Sequence, residues 1–178
     1  MQLNQIDSAT DSFKAAIAII PLYAEAHNYL GVALKKLNQF EEASESYQKA
    51  IAIKPEFAEA HNNLGNVLKS LGRFKEAVKS YKSTLLIKPN FVEAHNNLGS
   101  IFKDLKQFDS AIKCFKRAIA IKPSFVEAYY NLGLTLIDLE HFDEAVKYFK
   151  DALVIKSDYV EVHNNLGNAL KSLEKPYE

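Results

Sequence analysis

Four histidines, His27, His61, His95 and His163, stand at one position of a pattern that returns every 34 residues. Imidazoles in register could form a ladder of metal ligands. The chain also has serines, aspartates and the single Cys114 from which nucleophilic chemistry could be built. The spacing argues against both. Packed helices lie about 8–10 Å apart, whereas two ligands of one zinc must each approach to roughly 2.1 Å. No carboxylate or thiolate is placed consistently beside the histidines. No strained nucleophile turn or phosphate-cradling glycine loop occurs, and one cysteine supports neither a disulfide framework nor a cysteine-based zinc site. The expectation is no enzyme, no metal and no cofactor, with the histidines as packing residues.

Binding chemistry lies instead in the asparagines. His61-Asn62-Asn63-Leu64-Gly65-Asn66 is rewritten as His27-Asn28-Tyr29-Leu30-Gly31, as His95-Asn96-Asn97-Leu98-Gly99 and as Tyr129-Tyr130-Asn131-Leu132-Gly133. The last copy is His163-Asn164-Asn165-Leu166-Gly167-Asn168. Asparagine is a mediocre helix former, so its repeated use in a helical pattern needs a reason beyond folding. Its amide offers both a donor and an acceptor and can hold a peptide unit by N–H and C=O together. The competing reading has these amides bonding neighbouring helices, copied along with the repeat.

A fixed period of this size marks a solenoid, one quasi-linear array whose units need their neighbours. With the repeated glycine as position 8, full copies run 24–57, 58–91, 92–125 and 126–159. Each holds two apolar patterns of helical period, such as His61, Leu64, Leu68 and Leu71, then Ala77, Tyr81, Thr84 and Leu85. A short turn separates them. Asn38 and Gly72 suit a left-handed helix end there, and Lys106 and Glu140 suit it less well. The second helices end at Lys54-Pro55, Lys88-Pro89 and Lys122-Pro123, where proline stops the helix. The fourth copy has Lys156-Ser157, and a looser turn is expected. Small residues recur where helices must approach, including Ala43, Ala77, Ala111 and Ala145, and Tyr47, Tyr81, Phe115 and Phe149 fill the space between.

This Leu-Gly, Ala, aromatic, Ala, Pro spacing resembles the tetratricopeptide repeat (TPR) family over nearly the whole chain. The resemblance implies an all-α, right-handed α-solenoid superhelix of antiparallel helix pairs. One departure is His or Tyr at position 4, where the family often has Trp. Residues 1–23 read as a half repeat holding only a second helix, and residues 160–178 as one holding only a first helix that stops in the turn Lys175-Pro176-Tyr177-Glu178. Natural solenoid ends usually carry polar caps. Phe13 and Ile17 at one end, and Leu166, Leu170 and Leu173 at the other, lack their usual partners, so the chain reads as a fragment of a longer array.

At about 100° per residue, positions 2, 5, 6, 9, 12 and 13 of each first helix lie opposite its core side. In the family that side lines the concave groove where extended peptides lie. The residues carried onto it are Asn28, Asn62, Asn63, Asn66, Asn96, Asn97, Asn131, Asn165 and Asn168, with Lys35, Lys69 and Lys103 and with Glu59, Glu93 and Glu127. The asparagines would grip the ligand backbone and the charged rows would select its charge pattern. Leu134 and Ile137 would seat an apolar side chain. Such a ladder resembles the TPR arrays of O-linked N-acetylglucosamine transferases. The family's lysine–arginine clamp for chaperone C-termini is absent, since position 2 is always Glu.

The expected function is non-catalytic binding of a protein or peptide in extended form. Two alternatives are a substrate-presenting arm of a larger glycosyltransferase-like enzyme and a scaffold self-associating end to end through its open ends. Lys plus Arg and Asp plus Glu are 22 each, so no global field draws in nucleic acid or an anionic membrane. The glutamate row argues further against RNA. The apolar run from Ala15 to Pro21 is too short to span a bilayer, and Asp7 and Asp11 precede it where a signal peptide has basic residues. A lone cysteine suits a reducing, cytoplasmic setting.

Overall fold

The computed structural model describes residues 2–174. The stop at Lys175-Pro176-Tyr177-Glu178 expected from the sequence lies outside them. Among the described residues there are ten α-helices and no strands: α1 Gln2–Ile19, α2 Ala24–Lys36, α3 Phe40–Ile53, α4 Ala58–Ser70, α5 Phe74–Ile87, α6 Val92–Asp104, α7 Phe108–Ile121, α8 Val126–Asp138, α9 Phe142–Ile155 and α10 Val160–Leu173. They fall into two compact units, Met1–Pro89 and Asn90–Glu178. In the first unit α1 packs on α2, α2 on α3, α3 on α4 and α4 on α5, and the first helices α2 and α4 also meet. The second repeats this plan: α6 to α10 pack in sequence, α6 touches α8 and α8 touches α10.

Glycine and an aromatic ring set the spacing within each pair. Tyr47, Tyr81, Phe115 and Phe149 are fully buried on the second helices. Each ring lies over the glycine of its own first helix. A Cβ at Gly31 or Gly65 would stand 2.7 or 2.6 Å from the tyrosine ring, and one at Gly99 would stand 2.7 Å from Phe115. No larger residue fits without moving a close-packed ring. Around these seats the second unit gathers Ala111, Leu132, Leu136, Ala145, Ala152, Val162 and Ala169.

The turns inside the pairs are Schellman motifs. The Gln39 N–H bonds to Leu34 C=O and the Asn38 N–H to Lys35 C=O, both at 3.0 Å. Arg73 to Leu68, Gln107 to Phe102 and His141 to Leu136 repeat the longer bond at 2.8, 2.8 and 2.9 Å. The motif requires a left-handed residue, and Asn38, Gly72, Lys106 and Glu140 all take it, at φ 59°, 72°, 59° and 61°. Lys106 and Glu140 thus adopt the conformation that their side chains disfavour, because helix pairing and two capping bonds outweigh a cost of about 1–2 kcal/mol.

The turns between pairs correct another expectation. Without proline, Lys156-Ser157 is no looser than the others: Lys156 has φ −138° and ψ 94°, against −130° and 86° at Lys54. The reason lies in the next helix. The His163 ring bonds through Nε2 to the Ser157 carbonyl at 2.8 Å, as His27 does to Pro21 and His61 to Pro55 at 3.0 and 2.9 Å. Since a carbonyl only accepts, Nε2 carries the proton in each. Lys156 Nζ also covers the Tyr159 ring at 4.8 Å, as Lys54 covers Phe57. His27, His61 and His163 therefore each hold an inter-pair turn, the last of them without proline.

Candidate functional site

The asparagines of the first helices occupy three distinct environments. Asn28, Asn62 and Asn96, at position 5, are buried, with 6%, 7% and 8% of their surface exposed. Asn63, Asn97, Asn131 and Asn165, at position 6, are half-buried. The two sets meet across neighbouring first helices. Asn63 donates through Nδ2 to Asn28 Oδ1 at 3.1 Å, and Asn131 donates to Asn96 Oδ1 at 3.0 Å. Where position 5 is Tyr130, Asn165 donates to its hydroxyl at 3.3 Å and to the Glu161 carbonyl at 2.8 Å.

This corrects the picture of a uniformly exposed stripe. Position 5 points into the seam between first helices, and position 6 stands at its lip. An amide NH₂ carries two protons and its oxygen two lone pairs, so the bonds to Asn28 and Asn96 use only one donor of Asn63 and of Asn131. Each keeps a second N–H and its Oδ1, on a side chain fixed by a buried neighbour. In the first unit Tyr29, exposed, takes position 6 and stacks on Phe13 with ring centroids 5.7 Å apart.

Asn66 and Asn168, grouped with the ladder by sequence, differ from it. Asn66 is half-buried and accepts the Tyr81 hydroxyl at 2.7 Å, joining the two helices of its own pair. Asn168 is exposed on α10. Burial pushes the Tyr81 and Tyr47 hydroxyls well above the usual phenol range, so both are protonated donors near neutral pH.

The charged rows are built into the fold as well. Glu25 meets Lys54 at 2.9 Å and Glu59 meets Lys88 at 3.4 Å, each pair clasping a first helix to the end of its second. The Lys54 hydrogen bond holds the Glu25 carboxyl below its ordinary range. The signal for these pairs was present in the sequence as a constant 29-residue spacing of Glu and Lys in all four copies. Glu93 and Glu127 are exposed at the corresponding places. Lys35, Lys69 and Lys103 are half-buried, and Lys103 reaches Asp138 on the next first helix at 3.9 Å. Solvent screens exposed pairs of this kind, so they tune the surface more than they stabilise it. Among the described residues no group of three His, Cys, Asp or Glu could hold a metal ion. No helix among them is long and apolar enough to cross a membrane.

Paired helices with glycine–aromatic seats and capped turns define an all-α solenoid of helix-turn-helix units. Family profiles agree: that of the TPR repeat matches residues 33–72, 65–106 and 99–139, and that of the tetratricopeptide repeat matches residues 126–159. The chain belongs to the tetratricopeptide repeat family and is a protein-interaction scaffold. Among solved structures it is similar to the MamA protein, with 26% identity, 89% of this chain and 86% of that one covered, and a TM-score of 0.77. It shares the fold of YrrB, described as a TPR protein with an unusual peptide-binding site, at 23% identity, 93% and 85% coverage and a TM-score of 0.76. A thermophilic TPR protein of Thermus thermophilus, TTC0263, has that fold too, at 22% identity, 96% and 93% coverage and a TM-score of 0.76. No curated protein sequence matches the chain.

Proposed function

We propose that the protein binds an extended polypeptide, without catalysis, along its first helices. The side-chain amides of Asn63 and Asn131, and by register Asn97, grip the ligand backbone, and Asn165, whose two N–H groups are already used, adds its Oδ1 as an acceptor. The observation that carries this reading is the pinned asparagine pair. Ordering a polar side chain on binding costs about 0.5–1.5 kcal/mol. The bonds to Asn28 and Asn96 have already met that cost during folding. Position 5 thus orients and position 6 grips.

A backbone-directed grip tolerates many ligand sequences, and neighbouring groups bias the choice. Lys35, Lys69 and Lys103, with Glu59, Glu93 and Glu127, set the charge pattern. Half-buried Leu134 and Ile137 on α8 seat an apolar side chain. The likeness of the ladder to the arrays of O-linked N-acetylglucosamine transferases supports the reading, and the single cysteine suits a cytoplasmic setting.

The test perturbs the ligand instead of the protein, because Asn63→Ala would leave the buried Asn28 oxygen without its donor. Peptides selected from a random display library are resynthesised with N-methyl groups at alternate backbone nitrogens. Anisotropy titrations should show affinity falling about tenfold or more for each paired amide lost, since a ligand group that leaves a bound polar partner unmet costs 1–3 kcal/mol. Equal affinity of methylated and plain peptides would refute the backbone grip.

A further inference from the structure

In the first unit α3 and α5 both pack on α4 but not on each other. A slot of about 390 Å³ lies between them. Buried Leu64 and Leu68 of α4 form its floor, half-buried Ile51 of α3 is on one wall, and Ser80 and Ser83 of α5 are on the other. His61 lines it as well. His61 stands two residues from Asn63, about 200° around α4, so the slot is on the opposite side of the helix from the asparagine seam.

The second unit builds the same arrangement from α7, α8 and α9 and fills it with its own side chains. Two repeats after His61 and Ser80 stand Tyr129 and Tyr148. Their ring centroids are 6.5 Å apart, and both rings pack on the core below. Burial, then the charge of Asp151, then Tyr148, raises the Tyr129 hydroxyl above the phenol range. Asp151 stands two repeats after Ser83, so its effect on Tyr129 shows that these two positions face each other. The first unit has neither ring and a hydroxyl in place of the carboxylate. We propose that its open slot binds a small aromatic carboxylic acid, with the ring over Leu64 and Leu68 and the carboxylate at Lys79 and Ser83.

Shape and charge select this occupant. The rings of the second unit show that the scaffold accepts an aromatic group at this place. An apolar floor with a few polar groups at its rim is the usual make-up of a small-molecule site. Three titratable side chains line the slot, His61, Glu76 and Lys79. Glu76 is engaged, since Arg73 donates to both its oxygens at 2.7 and 2.6 Å. His61 is held to the Pro55 carbonyl through Nε2. The exposed Lys79 ammonium pairs with no carboxylate among the described residues. The unspent charge at the slot is therefore positive. Ser83 lies one helical turn from Lys79, on the same face of α5, and its hydroxyl can donate to the same carboxylate.

Nuclear magnetic resonance titration of the isotope-labelled chain with 3-phenylpropionate tests this, with 3-phenylpropanamide as the uncharged probe. Backbone signals of His61, Lys79, Ser80 and Ser83 should shift and saturate together, in the ~millimolar range expected of so small a probe. Signals of Tyr129 and Tyr148, in the filled slot, should stay in place. The uncharged amide should bind about fivefold more weakly than the acid, and Lys79→Glu, at an exposed site, should weaken the acid by about fivefold or more. Ser80→Tyr refills the slot and should abolish binding of both probes. A wild-type chain whose slot signals do not move overturns the proposal, as does equal binding of acid and amide. So does a Lys79→Glu chain, or a Ser80→Tyr chain folded by circular dichroism, that binds the acid like wild type.

Discussion

Replacing Tyr47 by Phe should stabilise the protein, and the same change at Tyr81 should destabilise it. Both rings are fully buried over their glycines, yet their hydroxyls differ in surroundings. The Tyr81 hydroxyl donates to Asn66 at 2.7 Å. The residue 15 positions before Tyr47 is Val32 instead of Asn, and the buried Tyr47 hydroxyl has no hydrogen-bond partner. An unmet buried polar group costs about 1–3 kcal/mol, whereas a made hydrogen bond contributes about 0.5–1.5 kcal/mol. Phenylalanine already fills the same seat at Phe115 and Phe149, so deleting the oxygen creates no packing problem. Tyr47→Phe should therefore gain about 1 kcal/mol and Tyr81→Phe should lose about 1 kcal/mol. Urea unfolding followed by circular dichroism measures the difference. Both sites lie in one unit, so any change in repeat cooperativity affects the two comparisons alike. If Tyr47→Phe destabilises as much as Tyr81→Phe, the Tyr47 hydroxyl is partnered and the reasoning from Val32 fails.

Two further outcomes follow from backbone and seat geometry. Lys106→Gly and Glu140→Gly should each raise stability by about 0.5–1 kcal/mol, since glycine removes left-handed strain at some cost in unfolded-chain entropy; thermal melts that show no rise would mean the capping bonds impose no strain. Gly65→Ala should cost about 1–3 kcal/mol by driving a methyl into the Tyr81 ring, whereas Gly167→Ala, with open space above it, should gain up to about 1 kcal/mol from helix propensity. Equal effects in matched unfolding curves would contradict the seat.

The sequence made the helix pairs legible because the glycine–aromatic seat needs fixed residue types at fixed spacing. It misjudged the exposure of position 5 for a physical reason. A helical wheel puts Asn62 and Asn63 side by side, but it describes one helix alone. Asn28 and Asn96 are closed off by bonds from the next first helix in their own unit, and the pairing of Asn28 with Asn63 spans 35 residues. Propensity likewise undervalued Lys106 and Glu140, where packing of two helices overrides a local preference, and Ser157, where His163 does the work expected of proline. The tether between Tyr81 and Asn66 was hidden because only one copy carries both residues.

Position-6 amides that hold a ligand backbone must sense its arrival. The most direct test is a nuclear magnetic resonance titration of isotope-labelled protein with a library-selected peptide, following the side-chain amide signals of Asn63 and Asn131. Both signals should shift and saturate together with binding, while the amides of Asn28 and Asn96 respond weakly from their buried places. A peptide that binds and leaves the Asn63 and Asn131 side-chain signals unmoved would contradict the backbone grip.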